Sequence, residues 1–292
     1  MNSVVQVQAV LYKSKFDSIA RSISSLSNSA LHTGFSIEFA YGDASDEPCL
    51  TDKELNSLRA LTPFRVSYTY FGENTGYGKG QNLLARDSRS DFLLAINPDI
   101  LVEASFFYQL IYPFDNQRNI GIVEARQTPL EHPKAYDCET GETSWCSGAC
   151  MLVPTDLFLR LGGFDFKSFW MYCEDVDFSW RVKIAGKKLI YRPQAPVFHP
   201  KRLTKNGDWI PTKTEIYQSA LAGLMMAYKW SNNKRLNQLI NLFKDSADSS
   251  QREALNAFNS MIDNGTLPTR IKTSRNIATF SDDGDYSGRH YL

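Results

Sequence analysis

Three acidic residues stand together directly after an aromatic run in the middle of the chain. Glu174, Asp175 and Asp177 follow Phe169-Trp170-Met171-Tyr172 and begin a segment with helical spacing. Acids beside so much apolar surface are costly unless the protein uses them. One of them could act at the mouth of a sugar pocket, since aromatic faces stack on pyranose rings. The alternative is ordinary structure, because acids in a first helical turn complement the helix dipole and aromatic runs are usually core.

A second group of residues could hold a metal ion. Asn97-Pro98-Asp99 ends an apolar strand, and its carboxylate could coordinate Mg²⁺ or Mn²⁺ with diphosphate oxygens and water completing the octahedron. Asn-Pro-Asp is also ordinary turn chemistry. His199 follows an apolar strand-like piece and precedes a proline. Its imidazole could bind the same metal or a phosphate, or it could be structural.

Two further polar stretches could contact a nucleotide. Asp43 and Asp46 follow a strand, where a carboxylate could accept hydrogen bonds from a base or ribose; an Asx turn is the favoured alternative from these residues alone. Glycines at 76, 78 and 80 would let the backbone approach a phosphate or sugar at a helix start, or would form a loose turn. Their spacing is not that of a dinucleotide-binding fingerprint.

The elements that must position these residues alternate between strands and helices. Strand patterns cover residues 4–12, 35–41, 64–71, 91–96, 120–124, 148–153 and 188–192. This order predicts an α/β fold with a mostly parallel sheet and ligands at the carboxyl ends of its strands, where the polar clusters lie. Residues 125–143 are predicted to form a loop over the site. From residue 214 the pattern is helical only, and the polar stretch 281–292 is predicted to be mobile or held by a partner.

Composition excludes several classes of protein. The 292 residues carry 32 basic and 32 acidic side chains, so no global field favours nucleic acid. No apolar run is long enough to cross a bilayer and no secretion signal is evident, which predicts a cytoplasmic protein. The five cysteines are predicted to be buried thiols in a reducing compartment. From Lys201 onward the chain has 13 basic and 9 acidic residues, so the protein could also lie peripherally at the inner, anionic face of the cell membrane.

Taken in order, the motifs resemble those of the family 2 glycosyltransferases, inverting enzymes of the Rossmann-like GT-A fold. The similarity covers about residues 4–200 and is strongest to the bacterial branch with rhamnosyltransferases of O-antigen (lipopolysaccharide) and cell-wall polysaccharide assembly. It rests on Asp43-Ala44-Ser45-Asp46, Asn74-Thr75-Gly76-Tyr77-Gly78-Lys79-Gly80-Gln81-Asn82, Asn97-Pro98-Asp99, Gly148-Ala149, Gly162-Gly163-Phe164-Asp165, Glu174-Asp175-Val176-Asp177 with Arg181, and His199. Asn97 replaces the first acid of the family's metal-binding motif.

The resemblance implies a role for each matching residue. Asp175 would be the general base that takes the proton of the acceptor hydroxyl. Asp99, with His199, would hold Mg²⁺ or Mn²⁺. The donor would be bound by Asp43, Asn74, Gly76, Gly78, Gly80, Asn82, Asn97 and Asp99, and the acceptor by Gly148, Trp170, Tyr172 and Glu174. A GT-A domain would span residues 1–203, with a donor half to about residue 100, and residues 204–292 would form a helical extension with a polar tail.

The resulting hypothesis is an inverting, metal-dependent glycosyltransferase that uses a nucleotide diphosphate sugar and a saccharide or polyprenyl-linked glycan acceptor. The first donor expected is dTDP-L-rhamnose, followed by UDP-galactofuranose or another UDP-hexose. The C-terminal helices would pack on the acceptor side or form a homodimer. Alternatives from other classes are a sugar nucleotidyltransferase, a glycoside hydrolase with two carboxylates, and a non-catalytic module that binds glycan or nucleotide sugar.

Overall fold

A computed structural model describes residues 3–132, 134–274, 276–281 and 286–287. Within these ranges one eight-stranded sheet has the strand order β3-β2-β1-β4-β7-β6-β8-β5. Its strands are β1 (Val4–Leu11), β2 (Ser36–Asp43), β3 (Val66–Tyr70), β4 (Phe92–Ile96), β5 (Leu101–Val102), β6 (Ile120–Thr128), β7 (Cys150–Pro154) and β8 (Lys188–Phe198). The predicted strands are all present. Strands β6 and β8 run further than predicted, so the first four residues of the predicted loop belong to β6.

Helices cover the sheet and extend beyond it. They are α1 (Phe16–Thr33), α2 (Asp52–Ala60), α3 (Gly76–Ala85), α4 (Phe106–Asn116), α5 (Thr155–Arg160), α6 (Glu174–Ile184), α7 (Lys213–Lys229), α8 (Asn233–Lys244) and α9 (Ser249–Asp263). The described helices do not include one with the length and apolar character needed to span a membrane. The α/β prediction with a C-terminal helical extension is confirmed.

Strand direction brings the predicted polar clusters to one edge of the sheet. Strands β1, β2, β3 and β4 are parallel, so Leu11 pairs with Asp43 at the edge where β4 also ends. Strand β7 is antiparallel to β4 and pairs Ile96 with Cys150. The start of β7 therefore lies beside the end of β4. This antiparallel step places residues 148 and 149 next to Asn97.

Strand β1 is buried on both faces although its sequence alternates apolar and polar residues. Gln6 and Gln8 are buried, as are their neighbours Val5 and Val7. Helix α3 covers this second face, and Gln8 Nε2 donates to Gln81 Oε1 at 2.8 Å, while Gln6 Nε2 donates to Gln8 Oε1 at 2.9 Å. Buried amides are tolerated because they satisfy one another. The amide layer fixes α3, and so the glycine-containing segment, against the central strand.

The C-terminal helices pack on α6. One apolar cluster joins Val176 and Trp180 of α6 to Leu224, Trp230 and Phe258 of the extension. The prediction that the last residues are mobile or held by a partner is wrong for Tyr286 and Ser287. Tyr286 packs in this same cluster, and Ser287 is buried. Residues 282–285 and 288–292 lie outside the described ranges.

The prediction that the five cysteines are buried thiols is wrong for Cys138, which is exposed.

Candidate active site

Asp175 lies in the first turn of α6, with both carboxylate oxygens facing backbone N–H groups. Gly148 N–H donates to Oδ2 and Val176 N–H donates to Oδ1, each at 2.8 Å. Burial raises the pKa of Asp175 above its usual value, while these donors and the Lys134 ammonium act in the opposite direction. The side chain is only half-buried. Asp175 is therefore an oriented, partly accessible carboxylate that is more basic than a surface aspartate.

Glu174 differs from its neighbour in having no donor for one oxygen. It is buried, and within the described residues its Oε2 has no hydrogen-bond partner. Burial, and then the charge of Asp175, raise the pKa of Glu174 well above its usual value. Because Asp175 has the N–H donors, the pair carries its negative charge on Asp175. Glu174 is then a protonated acid whose O–H can donate.

His199 is held neutral with one defined lone pair. Its Nδ1 lies 2.9 Å from Gln127 Oε1, and its Nε2 lies 3.0 Å from Asn97 Nδ2. Since Gln127 Oε1 can only accept, the ring proton is on Nδ1, and the Nε2 lone pair accepts from Asn97 Nδ2. Burial, helped by Lys201, lowers the pKa of His199 to about 3. Asp99 Oδ1 lies 3.8 Å from the same Nε2, so the structure brings the predicted metal-binding pair together.

These residues fit a divalent cation that is held partly by its ligand. His199 offers Nε2, and Asp99 offers a carboxylate whose pKa is raised by burial. The Lys201 ammonium lies 3.4 Å from Nε2, and its charge opposes a second positive charge there, so a cation would need the negative charge of its ligand as well as that of Asp99. The described ranges contain no group of three or more His, Cys, Asp or Glu side chains arranged so that they could hold a metal ion. Mg²⁺ commonly binds through one or two carboxylates plus substrate phosphates, so a two-residue set is compatible with such an ion.

The predicted catalytic and metal-binding residues are joined through Gly148 and Ala149. Asp175 is bonded to Gly148 N–H, and the carbonyl of Ala149 accepts from Asn97 N–H at 2.9 Å. From Asn97 the contacts continue to His199 and Gln127. Gln127 Nε2 then donates to the Oγ of Ser147, the residue before Gly148, at 3.2 Å. The result is a closed ring of hydrogen bonds, called here the site ring.

Gly148 was predicted to bind acceptor, and the structure gives it a second function. A Cβ at this position would lie 3.2 Å from the Tyr77 ring and 3.4 Å from Asp175 Cβ. The Tyr77 hydroxyl also donates to the Gly148 carbonyl. The glycine therefore eases the close approach of α3, α6 and β7, because a side chain here would press on the Tyr77 ring. Tyr77 belongs to the predicted motif of residues 74–82, although no role was predicted for it, whereas no spacing signal marked Gln127 and Ser147 as members of the site.

The glycines of α3 contact protein atoms. A Cβ on Gly80 would lie 2.6 Å from Val10 Cγ2, and one on Gly78 would lie 3.1 Å from Phe164 Cβ. Gly76 has a φ of +66°, and a Cβ there would lie 2.4 Å from the Trp170 carbonyl oxygen. We predicted close approach of backbone to a ligand. The structure instead uses these glycines for close packing of α3 against β1 and the segment before α6, because they face inward.

Two predicted donor-binding asparagines are engaged with the backbone. Asn82 Nδ2 donates to the Phe164 carbonyl at 2.8 Å, and its Oδ1 accepts from Phe164 N–H at 2.9 Å. Asn74 Oδ1 accepts from Gly76 N–H at 3.1 Å, and Asn74 is exposed. Asn82 thus ties α3 to the segment after α5. Asn74 keeps a polar surface at the helix start.

Asp43 is fully buried in a turn. Its Oδ1 accepts from Ser45 N–H at 2.9 Å and its Oδ2 from Cys49 N–H at 2.7 Å, while the Tyr68 hydroxyl also donates to Oδ2. Burial alone would raise the pKa of Asp43, but these hydrogen bonds outweigh it and the pKa lies below its usual value. The contacts are those of the Asx-turn alternative. Asp43 orders the loop, and its neighbour Asp46 is exposed.

The aromatic residues before α6 lie in an unusual backbone conformation. Trp170 is 38% exposed, and Tyr172 is half-buried. Tyr172 and Cys173 have φ values of +69° and +64°. Two successive non-glycine residues in the left-handed region are strained, and such strain clusters at functional sites. The strained pair directly precedes the helix that carries Glu174 and Asp175.

The structure contains a buried ion pair, Lys134 with Glu124, that the sequence did not predict. Lys134 Nζ lies 2.6 Å from Glu124 Oε2, and both side chains are 2% exposed. The same ammonium donates to the Trp145 carbonyl and lies 3.6 Å from the centre of the Trp145 ring. Burial raises the pKa of Glu124 to about 7, against the effect of Lys134. The only sequence signal for this pair was Glu124, a single acid at the end of the predicted apolar strand 120–124.

Asp177 and Arg181 join α6 to its surroundings. Asp177 is fully buried and contacts Arg181 Nε at 2.8 Å, Lys229 Nζ at 2.6 Å and Trp230 Nε1 at 3.1 Å. Arg181 also donates to the carbonyls of Leu161 and Gly163 at 2.7 Å. These contacts fix α6 on α7 and on the loop after α5. Among the predicted acids, Asp177 therefore has a structural role.

Comparisons with known proteins agree with this architecture. No family model matches the chain. Rhamnosyltransferase WbbL of Escherichia coli is 27% identical over 42% of this chain and 59% of its own length. The N-acetylglucosaminyl-diphospho-decaprenol L-rhamnosyltransferase of Mycobacterium tuberculosis is 46% identical over 29% of this chain and 24% of its own length. The matches thus span less than two thirds of these relatives. The expected resemblance to bacterial rhamnosyltransferases is confirmed.

Two solved structures share the fold at 13% sequence identity. GalNAc-T7, crystallised with UDP, GalNAc and Mn²⁺, aligns with a TM-score of 0.63 over 91% of this chain and 56% of its own. The mannosyltransferase PcManGT of Pyrobaculum calidifontis, in complex with GDP-Man and Mn²⁺, aligns with a TM-score of 0.55 over 92% of this chain and 77% of its own. The predicted GT-A fold is confirmed.

Proposed function

We propose that this chain, with its GT-A fold and its similarity to bacterial rhamnosyltransferases, is an inverting glycosyltransferase. It would move a sugar from a nucleotide diphosphate to a glycan or lipid-linked acceptor. The observation that carries the proposal is the site ring, which links an oriented carboxylate at the start of α6 to the pair Asp99 and His199 at the end of β4 and β8. A base and a cation site on opposite parts of one network suit displacement at a sugar carbon between them.

Asp175 is the proposed general base. In an inverting transfer, the acceptor oxygen attacks the anomeric carbon as the bond from that carbon to the diphosphate breaks, and the hydroxyl proton passes to a carboxylate. Asp175 fits because the N–H groups of Gly148 and Val176 orient it and keep it ionised, while burial keeps it basic. A placed base contributes about 10²–10⁴-fold to such a reaction.

Asp99 and His199 are the proposed ligands of Mg²⁺ or Mn²⁺. A bound divalent cation would neutralise charge on the leaving diphosphate, which is worth several kcal/mol in comparable reactions. Gln127 supports the assignment, because it fixes the His199 proton on Nδ1 and so leaves on Nε2 a lone pair that a cation would take over from the Asn97 amide. Both structural neighbours were crystallised with Mn²⁺.

The donor nucleoside would meet the edge where β1 and β2 end. Asp43 would act indirectly, by ordering the turn that presents Asp46 and its partner Lys13, whose Nζ lies 2.9 Å from Asp46 Oδ2. Tyr12 is 46% exposed beside Lys13 and offers an aromatic face for a base. dTDP-L-rhamnose is the first candidate donor because of the rhamnosyltransferase relatives, and UDP-galactofuranose or another UDP-hexose is the second.

The acceptor side would be formed by Trp170, Tyr172 and Glu174. Trp170 offers an exposed aromatic face, and protonated Glu174 offers a hydrogen-bond donor beside Asp175. The name of the mycobacterial relative refers to a decaprenol-linked substrate, which supports a polyprenyl-linked acceptor here. Exposed Trp209 and Ile210 follow the basic Lys201, a composition suited to an anionic membrane face. Flotation with anionic vesicles tests this contact, and recovery of all protein in the lipid-free fraction would contradict it.

The decisive experiment is a panel of nucleotide sugars tested for thermal stabilisation with Mg²⁺, with Mn²⁺ and with EDTA. A donor present at 100 times its Kd stabilises the fold by about 2.7 kcal/mol, so the true donor should raise Tm and only with the metal. Product formation is then followed by NMR, which should show inversion at the anomeric carbon. A donor that binds without any transfer would favour a binding module, and formation of a new nucleotide sugar would favour a nucleotidyltransferase.

A further inference from the structure

We propose that Tyr286 and Ser287, called here the clasp, position the catalytic carboxylate by holding two separate parts of its surroundings. One part is the strained turn before α6, and the other is the loop that carries Lys134. The inference rests on the proposed function for its kinetic consequences, but its first test does not require activity. Tyr286 is a positioning residue, because it acts on Asp175 through other groups.

The clasp holds the start of α6 through a side-chain contact. The Tyr286 hydroxyl lies 3.2 Å from the Sγ of Cys173, the residue before α6. The Tyr286 ring packs edge-on against Trp180 of the same helix, with ring centres 5.7 Å apart. Cys173 and Tyr172 both have positive φ values. Strained backbone persists only where its surroundings hold it in place, and Tyr286 supplies such a contact directly ahead of Glu174.

The clasp also holds the loop after β6. Ser144 Oγ donates to the Tyr286 carbonyl at 2.8 Å, and the N–H of Ala135 donates to Ser287 Oγ at 3.0 Å. The Tyr286 ring lies edge-on to Trp145, with centres 6.4 Å apart. Two hydrogen bonds and one aromatic contact therefore fix both ends of the segment from Ala135 to Trp145.

Holding this loop fixes a positive charge that acts on the proposed base. Lys134 directly precedes Ala135, and its ammonium is bonded to Glu124 and to the Trp145 carbonyl. The Lys134 charge opposes the effect of burial on Asp175. If the clasp releases the loop, Lys134 becomes mobile and Asp175 loses both a fixed turn and a stabilising charge. The clasp thus couples the last described residues to the base across more than 100 positions of sequence.

The first test measures the loop and uses the full-length chain. Tyr286→Ala removes the ring and hydroxyl, Tyr286→Phe removes the hydroxyl alone, and Tyr228→Ala is the matched control. Tyr228 packs in the same apolar cluster against Phe258 but does not contact the loop or Cys173. Limited trypsin digestion under native conditions should cut after Lys134 rapidly in Tyr286→Ala only. The native bond is protected because Lys134 is buried.

The second test is kinetic and uses the same three variants. A small displacement of a catalytic group can lower turnover by about 10²-fold, so Tyr286→Ala should lower kcat by roughly 10–100-fold with KM for the donor unchanged. The acidic limb of its pH profile should move to higher pH, because Lys134 no longer stabilises ionised Asp175. Tyr286→Phe should retain the protected loop, because the ring contact with Trp145 remains, but should lose part of the turnover, because the contact with Cys173 is gone.

The outcomes separate this proposal from the proposed function. If Tyr286→Ala leaves the bond after Lys134 as protected as in the native chain, the clasp does not hold the loop and the proposal is overturned, whatever the activity. Equal cutting in Tyr228→Ala and Tyr286→Ala would also overturn it, because general destabilisation would then explain the result. A released loop in a native protein that lacks transferase activity would retain the clasp and reject the proposed function.

Discussion

The Asp175 carboxylate lies 2.8 Å from the backbone nitrogen of Gly148, and the next residue, Ala149, accepts a hydrogen bond from Asn97. Gly148 and Ala149, which directly precede β7, thus connect the proposed base to the proposed metal-binding motif. This explains how motifs about 75 positions apart in the chain serve one reaction. It is also the reason why we propose Asp175, and not its acidic neighbours, as the general base.

Asp175→Asn should abolish transfer while leaving donor binding intact. The amide keeps the shape and one acceptor for Gly148 N–H but cannot take a proton, so kcat should fall by about 10²–10⁴-fold. Turnover and metal-dependent thermal stabilisation by the donor are measured on the same preparation. Transfer at the native rate would remove Asp175 from the mechanism.

Glu174→Gln should stabilise the protein and leave the acidic limb of the activity profile in place. The pKa of Glu174 is raised in the fold, so between its unfolded value, about 4.3, and the raised value the native chain binds more protons than the unfolded chain. Stability is therefore lost as pH rises through this window. The Glu174→Gln variant does not lose this stability, because glutamine does not ionise. Its Tm should therefore exceed that of the native chain by at least about 2 °C. This difference should grow as pH rises and disappear at acidic pH.

The matched measurement for Glu174→Gln is the pH dependence of kcat. Because Glu174 is already protonated, its replacement should not alter the pH at which Asp175 loses activity. A shift of that limb to lower pH would mean that Glu174 carries the charge in the native pair.

Lys134→Met should destabilise the protein far more than the double variant Lys134→Met with Glu124→Gln. Removing one partner of a buried ion pair costs about 3–5 kcal/mol, whereas replacing both is often close to neutral. Chemical denaturation of the single and double variants measures the difference. Equal loss in both would show that the pair contributes by packing alone. The acidic limb of activity should also move to higher pH in Lys134→Met, because Asp175 loses a nearby positive charge.

Gly76→Ala should cost more stability than Gly34→Ala. Both glycines have positive φ, at +66° and +74°, so alanine is strained at each by about 1–2 kcal/mol. Only at position 76 would the new Cβ meet protein atoms, 2.4 Å from the Trp170 carbonyl oxygen. The overpacking adds about 1–3 kcal/mol, and denaturation midpoints resolve the difference. Equal costs would show that the segment before α6 shifts freely.

Gln127→Leu should weaken metal binding without removing a ligand. Gln127 fixes the protonation of His199, and loss of such an outer contact typically costs about 10–100-fold in metal affinity. Calorimetric titration of Mn²⁺ in the presence of nucleotide diphosphate measures it. Gln194→Leu, an exposed position on β8, is the control. Unchanged affinity in Gln127→Leu would argue against His199 as a ligand.

Much of the fold could be predicted because its signals are local. Apolar periodicity placed the strands, and the Thr51–Glu54 capping box marked the start of α2. The long strand β8 was predicted too short, since prolines at 193 and 196 interrupt its pattern. The burial of Gln6 and Gln8 was also missed, because a polar residue on a strand predicts solvent unless another amide satisfies it.

The order and spacing of the motifs, by themselves, determined the GT-A fold, the resemblance to rhamnosyltransferases and the set of residues near the site. Only the tertiary structure decided what each does: Asp43 orders a turn, Asn82 ties α3 to Phe164, Asp177 anchors α6, and Asp175 is the acid with oriented N–H donors. The physical reason is that a residue's role depends on which donors, charges and packed atoms surround it. Those neighbours, such as Lys134 and Tyr286, come from positions that no local pattern connects.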